Sequence, residues 1–293
     1  MLRCETHCLL RDHPLTHSAE HDKNELNPAD GGEATKPAET ILRQEIAIGE
    51  EQLERKALGL LLSAVSAGLD VGFGPLMVAS VLAASPLDTL GSRLIGAMVY
   101  AIGFIIVIVG RSELFTEHTT LAVLPLLSGR TTVSRVARLW SLVYVGNIVG
   151  AAGFAAVGAP LGVSLGLFMP EDVARMSHHL TDFSAVVIFG SAVAAGWMMG
   201  LVSWLVTASR DTMAQILIIL LVAGSIYFLH LHHSIAGSVE VLMGVFVAGV
   251  PFAEYLRFLG LATVGNAVGG IVFVGLVKYA HISASETPSP RHR

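Results

Sequence analysis

Two apolar stretches of this chain are each interrupted, near the depth of a bilayer centre, by a polar cluster. Residues 94–110 (LIGAMVYAIGFIIVIVG) run into Arg111-Ser112-Glu113-Leu114-Phe115-Thr116-Glu117-His118. Residues 213–231 (MAQILIILLVAGSIYFLHL) run into His232-His233-Ser234. Charge is costly in hydrocarbon, so ionisable groups at that depth line a pathway or pair internally. Interrupted helices at matching places in two halves of a chain mark the binding region of a transporter.

The rest of the chain agrees with a polytopic membrane protein. Of its 293 residues 53% are hydrophobic and 14% charged, against roughly 25% charged in a soluble domain. The charges concentrate in residues 1–56, and residues 57–277 are almost wholly apolar. Within them, stretches near the length a helix needs to cross about 30 Å of hydrocarbon recur. The first 40 residues lack the apolar core of a signal peptide. Cys4 and Cys8 lie in the polar tail, which argues against a disulfide framework. The spacing of His7, His13, His17 and His21 fits no compact metal motif, so no metal or other cofactor is expected. There is no paired-Asp, Ser-Lys or His-Glu-x-x-His arrangement at catalytic spacing, and no Gly-rich loop after a strand. An enzyme, a nucleotide-driven pump and a nucleic-acid binder are therefore all disfavoured.

Four segments follow from the pattern. Residues 1–39 read as a disordered tail. Residues 40–56 alternate apolar and charged at helical spacing and predict an amphipathic helix. Residues 57–278 form the transmembrane domain, and 279–293 a second tail. The domain divides into six spans: 57–84, 92–128 broken at 111–118, 139–160, 184–208, 212–250 broken at 232–234, and 255–278. With the N-terminus inside, fourteen Lys and Arg fall on the cytoplasmic side and three (Arg93, Arg175, Arg257) on the other. Both termini are then expected in the cytoplasm.

The two halves repeat. Ser63-Ala64-Val65-Ser66-Ala67-Gly68 with Gly72 matches Ser191-Ala192-Val193-Ala194-Ala195-Gly196 with Gly200. Gly146-Asn147-x-Val149-Gly150 matches Gly265-Asn266-x-Val268-Gly269, 119 residues later, and the two breaks share that offset. Any one such glycine pair is accounted for by close helix packing; the ordered set indicates duplication. Three spans per half force opposite orientations, giving an inverted-topology repeat.

These residues carry a family resemblance. Ser112-Glu113-Leu114-Phe115-Thr116 resembles the loop of the formate/nitrite transporter family, and Phe228-x-x-x-x-His233-Ser234-Ile235-Ala236 its central-histidine motif. Leu142-Val143-Tyr144-Val145-Gly146-Asn147 and Gly265-Asn266-Ala267-Val268-Gly269-Gly270 resemble its third-span and last-span signatures. The resemblance covers about residues 55–280. It implies an all-α, aquaporin-like fold and a homopentamer in the bacterial inner membrane, with a pore in each protomer. The cargo it implies is a small monovalent weak-acid anion, moved passively or with a proton. The chain departs from the pattern at Gly237 and Ala195-Gly196, in lacking an entrance lysine (His178 and His179 lie nearby), and in its charged loop.

On that basis His233 and Thr116 are the expected polar pore residues, with Leu114 and Phe115 an apolar constriction that gates by dewetting. The alternative for His233 is a hydrogen-bonded core histidine; His232 is expected to pack elsewhere. Arg111, Glu113, Glu117 and His118 form a charge cluster at one mouth. An internal ion pair of Arg111 with one glutamate is favoured over an anion-attracting or proton-relaying role. Asp70 and Glu240 are lone acids in apolar helices without an assigned role. The lost asparagines and the charged loop keep open a pore of the same fold for a neutral solute or a cation.

Overall fold

The computed structural model describes residues 35–85 and 89–285. The tail cysteines and histidines, and most of both expected terminal tails, lie outside the described residues. All regular structure within them is helical. Helix α1 (Ala38–Glu54) is the expected amphipathic helix. Its Ile41, Leu42 and Ile46 form a small apolar cluster with Leu124, Trp204 and Ile282.

The spans appear much as expected. The first is α2 (Ala57–Val71) continued by α3 (Phe73–Ala84), and the second starts with α4 (Leu90–Val109). After a break come α5 (Phe115–Leu121) and α6 (Val123–Leu127). The third is α7 (Val133–Ser164). An unexpected helix, α8 (Pro170–Thr181), then precedes the fourth span, α9 (Ala185–Ala208). The fifth is α10 (Thr212–Phe228), a break, and α11 (Ser234–Val247). The sixth is α12 (Phe252–Gly269), which runs through a π-helical stretch (Gly270–Leu276) into α13 (Val277–Ser285). Five of these stretches are long and apolar enough to cross a membrane unbroken, while the fifth span is divided into two shorter apolar helices. Helix α8 was not apparent from hydropathy because its Glu171, Asp172, Arg175 and two histidines mask its buried face of Val173, Met176 and Leu180.

The two breaks have the same construction. After α4, Arg111 turns into the left-handed region (φ 60°), and after α10 His230 does the same (φ 55°). The Ser112 N–H returns to Val107 O (3.0 Å), and the Leu231 N–H to Ile226 O (2.9 Å). These six-to-one bonds satisfy carbonyls that an ended helix would leave orphaned. The chain then extends through Leu114 (φ −106°, ψ 127°) and His233 (φ −103°, ψ 122°) before α5 and α11 begin.

One amide on a neighbouring helix holds each break. Asn147 Oδ1 accepts from the Phe115 N–H (2.8 Å), while its Nδ2 donates to the carbonyls of Ala64 and Glu113, both at 2.8 Å. Asn266 repeats this with the Ser234 N–H (2.8 Å) and the carbonyls of Ala192 (2.8 Å) and His232 (2.9 Å). Both asparagines are fully buried. The backbone polar groups freed by each break thus find partners away from water, as they must at membrane depth.

The repeated glycines let the helices close on these amides. A Cβ at Gly68 would lie 2.2 Å from Asn147 O, and one at Gly196 2.1 Å from Asn266 O. Their role is close packing of α2 on α7 and of α9 on α12.

Candidate functional site

The second half-helix of each broken span delivers one polar side chain to the same place. Thr116 Oγ1 lies 2.9 Å from His233 Nε2, with both residues buried. His233 also caps α11, its Nδ1 accepting from the Ala236 N–H at 3.2 Å. With Nδ1 occupied as acceptor, a neutral ring carries its proton on Nε2 and donates it to Thr116. The Thr116 hydroxyl proton is then left for a third partner. Ser234 Oγ, beside it in sequence, is buried and has no partner among the described residues.

Apolar groups surround this pair. Leu114 and Phe104 are fully buried, and the Phe104 ring meets the His233 ring edge-on, with centroids 5.1 Å apart. Phe115 turns the other way. Its ring packs edge-on against Tyr144 (5.0 Å) and Trp140 (6.2 Å) of α7. Of the two expected constriction residues, Leu114 is fully buried just ahead of α5, and Phe115 is buried against α7.

A cavity opens on each side. Tyr100 lines one and Ile108 lines another. Phe104 stands midway between them on α4, a run of about 12 Å. Neither cavity is lined by Thr116, Leu114 or His233.

The charge cluster lies at the cavity on the α1 side, with a different pairing from the expected one. Glu113 is ion-paired to Arg55, at the C-terminal end of α1, and hydrogen-bonded to His118. Arg111 is exposed and makes no ion pair within the described residues; its backbone serves the turn that ends α4. The Arg111–glutamate staple is therefore replaced by Arg55–Glu113–His118. Sequence distance hid this, because Arg55 is 58 residues from Glu113 and only the docking of α1 joins them. Glu117 and His118 line the same cavity, and His118 Nδ1 has no partner among the described residues.

Helix α1 forms part of that cavity wall through Ile48 and Gln52. It is anchored by Glu45, fully buried, which accepts from Thr207 Oγ1 (2.5 Å) and from Ser203 Oγ (3.1 Å). Burial pushes the Glu45 carboxyl up to about 7, against the pull of the Thr207 hydrogen bond; Glu117 pushes it further in the same direction.

The remaining polar residues take separate places. His232 faces away from the pair, bonded to Ser191 and donating from Nε2 to Leu180 O (3.0 Å). Asp70 accepts from Ser66 on its own helix (3.0 Å). His178 is half-buried and lies 3.2 Å from Asp182. His179 stacks on His230 (centroids 5.7 Å apart), and both line the cavity on the Tyr100 side together with Glu240. The contact of Phe104 with His233 was not anticipated, since nothing in an apolar run tells which phenylalanine faces the break.

This arrangement has known counterparts. The family model for formate/nitrite transporters matches residues 39–280. The chain is 32% identical over 237 residues to the inner membrane protein YfdC of Escherichia coli (strain K12), covering 80% of this chain and 75% of that one. Among solved structures, an FNT family ion channel superposes with a TM-score of 0.75 at 22% identity, covering 85% of this chain and all (100%) of that one. A pentameric formate channel with formate bound gives 0.68 at 22% identity, covering 78% and 98%. The fold is thus the aquaporin-like fold of these channels, and on the extent of the match the chain belongs to the formate/nitrite transporter family.

Proposed function

We propose that this protein conducts small monovalent weak-acid anions of the formate and nitrite kind, passively or together with a proton, through a pore in each protomer. The observation that carries this reading is the Thr116–His233 contact at 2.9 Å, buried between two cavities. An anion arriving there meets the Thr116 hydroxyl and the N-terminal turn of α11, both suited to negative charge. Phe104 and Leu114 exclude water on either side. Crossing that dry section is easiest for a species whose charge is neutralised or fully hydrogen-bonded. Leu114 narrows the path, and Phe115 supports it from the α7 side.

The protein is proposed to act as a homopentamer in the bacterial inner membrane, with both termini cytoplasmic. The assembly follows the pentameric formate channel to which the fold is similar. The location follows the relative named an inner membrane protein. The orientation follows the excess of Lys and Arg on one side. In this reading the protein transports and does not catalyse, as its family does. The Arg55–Glu113–His118 chain fixes the loop carrying Thr116, while Arg111, Glu117 and the free nitrogen of His118 set the charge of the inner mouth.

A second reading, a cation or neutral solute as cargo, is favoured by one feature: acids line both cavities, Glu117 in one and Glu240 in the other. Flux through purified protein in liposomes decides between them. Uptake of formate and nitrite that Thr116→Val and His233→Ala both alter is the expected result. Uptake of methylammonium or glycerol with no anion uptake would overturn it.

A further inference from the structure

Glu240 lies deep in the protein, at 5% exposure, yet it lines the cavity on the Tyr100 side. Its carboxyl makes no hydrogen bond or ion pair within the described residues. It stands seven residues beyond His233, which is about 10 Å along α11 and nearly two full turns, so the two side chains leave the same face. That face points to the path, since Tyr100 of the same cavity touches Phe104 (5.3 Å), which touches His233.

The groups that share the cavity with the carboxyl come from four other helices. Helix α4 supplies Arg93 and Tyr100, the end of α10 supplies Tyr227 and His230, and α8 supplies His179; Leu82 of α3 is apolar. Arg93 Nη2 donates to Phe228 O (2.6 Å) and its guanidinium lies over the Phe228 ring (4.6 Å), while its Nε has no partner among the described residues. The two histidines stack on each other. An ionised Glu240 would repel an incoming anion, the more so away from bulk water. A protonated one instead offers an O–H donor, and an acid–carboxylate hydrogen bond is among the strong kinds.

We propose that Glu240 makes this cavity a loading site for a small monocarboxylate taken up with one proton, which the substrate and Glu240 share. The inference rests on the anion-pore reading and narrows its substrate class to carboxylates. No covalent bond changes. The carboxylate and one proton both enter from the solution on this side. The proton first bridges the Glu240 and substrate oxygens. It then leaves with the substrate as the neutral acid toward Phe104 and His233, returning Glu240 to the carboxylate. The charge is thereby removed before the driest section, where carrying it costs most.

The test uses the full-length protein in liposomes containing a pH-sensitive dye, with formate and methylammonium as probes. The wild type should take up one proton with each formate, and its rate should rise as the outer solution is acidified, by up to about tenfold per unit with the proton as co-substrate. Glu240→Gln, nearly isosteric, should elute as the same oligomer, lose the proton-to-formate ratio, and vary less than about twofold over the same range. A variant keeping the wild-type ratio and pH profile overturns the proposal. If the variant fails to assemble, formate titration of the wild type alone decides. Calorimetry in buffers of different ionisation heat should then report proton uptake on binding, and binding without it overturns the proposal. Formate flux with no proton linkage sinks only the Glu240 role. Wild-type uptake of methylammonium and not of formate sinks the anion-pore reading with it.

Discussion

Leu114 and His233 hold the same position in the two halves of the molecule, 119 residues apart, each the extended residue just ahead of a half-helix. One is apolar and the other carries an imidazole. The duplicated backbone therefore places two unlike side chains at the two breaks. One is apolar and fully buried, and the other joins Thr116 in the polar contact at 2.9 Å.

His233 has two separable tasks, and two substitutions separate them. His233→Asn keeps an acceptor for the Ala236 N–H and should stay within about 0.5 kcal/mol of wild-type stability; His233→Ala loses the cap and about 1 kcal/mol. Both remove the ring nitrogen that meets Thr116, so both should change the rate or the pH dependence of anion flux. If both transport with the wild-type pH profile, the histidine serves α11 alone.

Asn147→Ala and Asn266→Ala should be comparably harmful. Each leaves one backbone N–H and two carbonyls buried without partners, at a cost of about 2–4 kcal/mol, given about 1–3 for each unsatisfied group and partial relaxation. Thermal unfolding in detergent should show both variants well below the wild type. A wild-type midpoint in either would mean that the amide is not what holds its break.

The charged loop makes a contrast between two arginines. Arg55→Ala strips Glu113 of its cationic partner and should lower stability by about 1–2 kcal/mol, less than a fully buried pair because the Arg55 side chain is one-third exposed (33%). Arg111→Ala, at an exposed position, should change stability by under about 0.5 kcal/mol. Folded yield and melting of the two variants decide the matter, and the opposite ranking would restore an Arg111 staple.

Docking of α1 should weaken as pH rises. Burial places Glu45 at about 7 when docked, above its ordinary value of 4.5. The docked form therefore holds more protons between those values, and docking stability falls as pH rises through that window. Relative to the intrinsic amide exchange rate at each pH, protection over residues 38–54 should be lower at about pH 8 than at about pH 6. Glu45→Gln should remove most of that difference, and an unchanged pH response in the variant would point to another group.

What could be read from the sequence was whatever the bilayer imposes one segment at a time. Hydrocarbon demands long apolar helices, and the violations of that demand at 111–118 and at 232–234 overlap the breaks between helices, which span residues 110–114 and 229–233. The ordered repeat of Gly68 with Asn147 and Gly196 with Asn266 carried the two-fold plan, because close packing and amide clamping need those residue types at those spacings. The pairing of side chains across helices was not legible. Whether Glu113 meets Arg111 or Arg55, whether Phe104 or Phe115 borders His233, and whether Glu240 faces lipid, protein or a cavity depend on how each helix is rotated and on where α1 docks. In so uniformly apolar a chain, hydropathy sets a helix's length and leaves its rotation open. Rotation is fixed by small-residue packing and buried hydrogen bonds between segments far apart in sequence, and these exist only once the helices have assembled.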